Sequence, residues 1–163
     1  MPSELPALDS KLDLELTRVV DVPRHLVWKA WTTPELLMQW FTPRPWETVA
    51  CEIDLRPGGT FNTTMRSPDG TDFPNSGCYL EVVEGERLVF TDALLPGYRP
   101  SGKGFMTAFI TLEDADGGTR YTARAIHKDQ ADRDRHEAMG FMDGWGTALD
   151  QLVALMRGGT YPE

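Results

Sequence analysis

The chain has 163 residues, 40% of them hydrophobic and 25% charged, with five tryptophans and a formal net charge of −9. That length fits one domain able to bury a core and enclose a pocket, and the acidic balance argues against broad attraction to nucleic acid or an anionic membrane surface, both of which need clustered Lys and Arg. No apolar run approaches the ~20 residues that span a bilayer, and the N-terminus lacks the positive start and apolar stretch of a secretory signal, so a cytoplasmic location without membrane insertion is expected.

Residues 1–11 read as a loose tail. In 12–21, Leu12, Leu14 and Leu16 alternate with polar positions, the period of a half-buried strand. Two short helices follow, the first opened by Pro23 and the second by Thr33-Pro34 as cap and first position. From Trp46 to His127 the period is two. Strands are expected near 46–55, 59–67, 76–84, 87–95, 104–113 and 119–127, joined by turn-rich connections that imply an antiparallel meander. After a charged stretch, apolar residues from Met139 to Met156 recur at helical spacing and predict one long amphipathic helix over about 132–157, stopped by Gly158-Gly159. A single domain over 12–157 and a C-terminal tail at 158–163 complete the expected organisation. Its class is α+β: a seven-stranded curved antiparallel sheet wrapped around the long C-terminal helix, with two short helices after the first strand. One helix cannot fill the concave side of such a sheet, so an internal cavity is expected.

Alternation selects inward-facing side chains. Phe61, Thr63 and Met65 share a face, as do Val49, Cys51 and Ile53, then Cys78, Leu80 and Val82, then Leu88, Phe90 and Asp92. Met106, Ala108 and Ile110 are taken as inward, and so are Tyr121, Ala123, Ala125 and His127. Asp92 is the polar exception in its row, either a strand end reaching water or an anchor at the pocket rim. Gly140, Gly144 and Gly146 lie in the predicted helix, where each costs about 0.5–1 kcal/mol relative to alanine. Close helix packing, a bend, or room for a ligand could offset that cost. Cys51 and Cys78 are read as buried free thiols.

Two motifs fail on inspection. In "PGYRPSGKG" (96–104) Gly97, Gly102 and Lys103 have P-loop spacing, but Gly104 stands where a Ser or Thr should reach magnesium, and a strand pattern follows instead of a helix. The segment is a hairpin loop, able to gate a cavity mouth. His136-Glu137 opens like a helical zinc motif, yet Gly140 occupies the second histidine's position, and His136 is read as a solvated helix end. No metal, cofactor or catalytic residue is assigned.

The stretches "TRVVDVPRHLVWKAWTTPELLMQWF", "CEIDLRPGGTFNTTM", "GCYLEVVEGERLVFTDAL", "GGTRYTARA" and "GWGTALDQLVALM" resemble the family named for the activator of the heat-shock chaperone ATPase, in its bacterial-type stand-alone form. The resemblance runs over 12–157 and implies the helix-grip fold of the START-like, birch-pollen-allergen-like superfamily, which includes lipid carriers, hormone receptors and polyketide cyclases. The leading expectation is non-covalent binding of a small, mainly apolar molecule or lipid by Trp40, Met65, Phe90, Asp92, Met106, Ala125, His127, Met139, Met142 and Trp145. A polyketide cyclase or dehydratase comes second, with Asp92 and His127 as the acid–base pair. A protein-interaction role comes third: the eukaryotic activator docks through a separate N-terminal domain, and this sequence has about eleven residues before its first predicted strand, which weighs against a chaperone partner. A homodimer is left open.

Overall fold

Among the described residues the alternating segments pair into nine strands. They are β1 (Asp13–Val20), β2 (Glu47–Ile53), β3 (Thr60–Arg66), β4 (Asp72–Val83), β5 (Arg87–Thr91), β6 (Leu94–Leu95), β7 (Arg99–Pro100), β8 (Thr107–Ala115) and β9 (Gly118–Ile126). In the computed structural model, which describes residues 5–158, seven of them form one antiparallel sheet in the order β1-β9-β8-β5-β4-β3-β2, and β6 and β7 make a separate small hairpin. Helices α1 (Arg24–Thr32) and α2 (Pro34–Trp40) carry the chain from β1 at one edge to β2 at the other. This is the expected α+β helix-grip architecture. The expected tail positions 1–4 and 159–163 lie outside the described residues. Within 5–11, the Pro6 carbonyl accepts a hydrogen bond from Arg124, which also pairs with Glu15 at 2.7 Å.

Two β-bulges shift the inward parity. In β2 the register jumps between Thr48 and Ala50, so Thr48, paired with Met65, takes the inward place expected of Val49. In β4 it jumps between Tyr79 and Glu81, so Tyr79 stacks on Phe61 at 5.3 Å, and Tyr79 and Val82, not Cys78 and Leu80, join the core. β4 begins at Asp72, earlier than its turn-like residues suggested. Its first part pairs with β3 beyond the reach of β5, leaving one side unpaired, and that is where Pro74 is tolerated. Both cysteines are free; Cys78 is buried, and burial pushes the half-buried Cys51 thiol up to about 11.

The predicted terminal helix is two helices, α3 (Gln130–Ala138) and α4 (Phe141–Gly158). Asp129 caps α3 by accepting from the Asp132 backbone N–H at 2.8 Å. The break falls at Gly140, whose φ of +94° disfavours any residue with a Cβ. The other two glycines have separate reasons. A Cβ on Gly146 would come within 2.6 Å of the Arg18 guanidinium, which is itself tied to Asp150 at 3.0 Å, whereas a Cβ on Gly144 would meet open space.

Leu149, Leu152 and Met156 of α4 pack with Val27, Leu36, Leu88, Ile110 and Leu112 in the main core. In the loop 96–104 the Gly97 N–H donates to the Gly58 carbonyl at 2.8 Å, and the Tyr98 ring lies against Gly58. Substituting Gly140→Ala should destabilise the fold by about 1–2 kcal/mol, while Gly144→Ala should stabilise it by about 0.5–1 kcal/mol. Urea unfolding midpoints moving in opposite directions check the two assignments.

Candidate functional site

The concave face not covered by α4 encloses a cavity of about 640 Å³. Its roof is Trp31 of α1 and Trp40 and Phe41 around the end of α2; its floor includes Phe61, Thr63 and Met65 of β3 and Phe90 of β5; α4 contributes Phe141, Gly144, Trp145 and Ala148. The aromatic rings brace one another. Trp31 meets Trp40 edge-on at 5.0 Å, and Phe61 meets Phe90 edge-on at 4.7 Å. Both buried indoles spend their N–H inside the protein: Trp31 donates to the Tyr121 hydroxyl at 3.2 Å and Trp40 to the Ala30 carbonyl at 3.0 Å. The walls therefore offer apolar ring surface. Exposed lining residues Trp46, Asn75 and Met139 mark the opening.

Of the residues expected at a ligand site, the fold brings Trp40, Met65, Phe90, Asp92, Met106, Met139 and Trp145 to this cavity. Three do not line it. Ala125 is fully buried in a second core cluster with Leu14, Leu16 and Phe141. Met142, in the first turn of α4, is 47% exposed and stays outside the lining. His127 is buried behind His136, so the expected Asp92–His127 pair does not face one cavity. Asp92 sits past the end of β5, where its Oδ1 accepts from the backbone N–H groups of Phe105 at 2.9 Å and Met106 at 3.1 Å. It holds the start of the β8 segment in place.

His136 departs most from expectation. It is 7% exposed, its Nδ1 lies 2.8 Å from Nε2 of His127, and its ring contacts Phe105 and Phe141. Burial, with His127 adding to it, pushes its pKa down to about 4. On the same face of α3, four residues earlier, buried Asp132 is paired with Lys128 and with Arg135 at 2.9 Å, and the Lys128 hydrogen bond holds its carboxyl below the usual range. The spacing of Asp132 and His136 was the available signal. It was hidden in a run where nearly every residue is charged.

Among the described residues no group of three or more His, Cys, Asp or Glu is placed to hold a metal ion. A second depression of about 570 Å³ lies at the far end, near Pro23, Gly85 and Gly118. Its Arg24 is already bonded to Asp114 at 3.1 Å and to the Gly85 carbonyl at 3.0 Å. No helix among the described residues is long and apolar enough to cross a membrane.

The depressed His136 value has a stability consequence. Above pH ~6.5 the ring is neutral folded or unfolded; between there and pH ~4 the unfolded chain takes up a proton that the native site refuses. Acidification through that window should cost roughly 2–3 kcal/mol, and a His136→Phe variant should show a shallower fall in urea midpoint between pH 6.5 and 4.

No curated protein matches the chain. Solved structures do. A crystal structure of a Nitrosomonas europaea protein is 51% identical, covers 92% of this chain and 97% of its own, and superposes with a TM-score of 0.90. A Chromobacterium violaceum protein is 27% identical over 93% and 99%, at a TM-score of 0.73. At 24% identity, a Mycobacterium smegmatis protein shares the fold over 93% and 94%, at a TM-score of 0.77. The model of the activator of Hsp90 ATPase homolog 1-like family matches residues 21–157. Fold and family are those of a ligand-binding or protein-interaction module. Strand order, helix grip and that match over most of the sequence lead to one conclusion: the chain belongs to the activator of Hsp90 ATPase homolog 1-like family.

Proposed function

We propose that the protein binds a small, mainly apolar molecule, non-covalently, in the cavity between α4 and the concave face of the sheet. The observation that carries this reading is the aromatic-walled space of about 640 Å³, within the range of small-molecule sites, ~300–1,000 Å³. The N–H groups of Trp31 and Trp40 are already satisfied, so the ring surfaces they present favour apolar contact over polar recognition. Trp40, Met65, Phe90, Met106 and Trp145 would supply that contact, with Asp92 as the polar group and Met139 at the rim. Small residues on α4, Gly144 and Ala148, keep the space open.

A neutral fluorescent probe, N-phenyl-1-naphthylamine, should bind with micromolar affinity and quench tryptophan emission. Gly144→Leu, which projects a side chain into open space, should weaken binding about tenfold or more while leaving the thermal midpoint within a few degrees. Absence of probe binding, or unchanged affinity in the Gly144→Leu protein, would remove the proposal.

A further inference from the structure

The histidine pair fixes the polarity of the cavity wall. Nδ1 of His127 lies 2.7 Å from the Leu12 carbonyl oxygen. A carbonyl can only accept, so that nitrogen carries a proton. In the neutral ring Nε2 of His127 is then a lone pair, and its 2.8 Å contact requires Nδ1 of His136 to be the donor. A neutral His136 protonated at Nδ1 has its own lone pair on Nε2. Among the described residues that Nε2 meets no hydrogen-bond partner, although His136 is 7% exposed and lines the cavity. Burial and His127 keep the ring uncharged at neutral pH.

The surrounding charges point the same way. Asp92 lines the same cavity beside Phe105, whose ring packs on His136 at 4.9 Å. Asp132 engages Lys128 and Arg135, whose guanidinium also lies 5.0 Å over the Phe105 ring, and among the described residues no Lys or Arg lines the cavity. This wall thus presents a lone pair and a carboxylate, both of which call for a hydrogen-bond donor, and it has no cation to meet an anionic ligand.

We propose that Nε2 of His136 is the polar anchor of the cavity, and that the ligand is a neutral, mainly apolar molecule bearing a hydroxyl, a phenol or an alcohol, in preference to a fatty or aromatic carboxylate. The proposal rests on the reading that the cavity binds apolar molecules, and goes further by naming the group that such a molecule carries.

Calorimetric titration at pH 7.5 with naphthalene, 2-naphthol and 2-naphthoate tests it. 2-Naphthol should bind about three- to tenfold more tightly than naphthalene, the worth of one hydrogen bond to a buried acceptor, and 2-naphthoate more weakly than either. His136→Phe should erase the naphthol advantage, bringing the ratio of the 2-naphthol and naphthalene affinities measured in that variant to about one. Equal affinities for naphthol and naphthalene, an advantage that survives in His136→Phe, or naphthoate as the tightest ligand would overturn the anchor while leaving the cavity reading intact. Failure of all three to bind would remove both. Imidazole ¹⁵N shifts of the unaltered protein give an independent readout should the variant not fold: Nε2 of His136 should be unprotonated and should move on addition of 2-naphthol, and a proton found on that nitrogen overturns the assignment.

Discussion

A seven-stranded sheet with strands ~4.8 Å apart presents a face about 30 Å across, and a single α-helix with its side chains is only ~10–12 Å wide. The concave face therefore has to be covered by something besides α4, or left partly open. The chain does both. α1 and α2 pack against α4 and cover part of the face, and the C-terminal half of α4 seals the core with Leu149, Leu152 and Met156. Its N-terminal half carries Gly144 and Ala148, and there the interior remains hollow. The cavity follows from the mismatch in width between one helix and one sheet, and the small residues decide which end stays open.

Keeping such a space open needs rigid walls, because an apolar void collapses if its lining can relax inward. The rings around it are locked edge to face. Their polar ends are also anchored, Trp31 on the Tyr121 hydroxyl and Trp40 on a carbonyl of α1. Burial pushes the Tyr121 phenol well above the ordinary range and keeps it protonated, against the Trp31 hydrogen bond, which by itself favours the phenolate. Aromatic geometry and hydrogen bonding thus support each other, and the cavity surface that remains is ring face and methionine, suited to adaptable apolar contact.

The polar side of the site is organised by desolvation. In a protein of net charge −9 the cavity wall carries no Lys or Arg among the described residues, and two histidines meet edge-on where a single exposed imidazole would ordinarily be solvated. Burial disfavours a second proton on His136, the one that would charge the ring, while the Leu12 carbonyl orients His127. Asp132 engages Lys128 and Arg135. The result is a low-polarity pocket with acceptor character concentrated near Phe105.

Much of this was legible in the residues. Period-two alternation placed the strands, Pro23 and Pro34 marked the two short helices, and the apolar stripe from Met139 to Met156 identified a terminal helix though not its break, because each depends on neighbours within a few positions. Cavity membership of Trp40, Met65, Phe90 and Met106 followed from facing and helix position alone. What could not be read were features set by long-range pairing. The bulges at 48–50 and 79–81 exchange Thr48 for Val49 and Tyr79 for Cys78, and they exist only relative to a partner strand. The φ of Gly140 splits one apparent helix in two, although glycine alone is compatible with either course, and Met142, in the first turn of the second helix, is left exposed. His136 reads as a charged helix end until the fold brings Phe105, Phe141 and His127 around it. Local periodicity determined which elements form and which faces are apolar; burial, which depends on what packs from a distance, decided where the hollow lies and what its one histidine can accept.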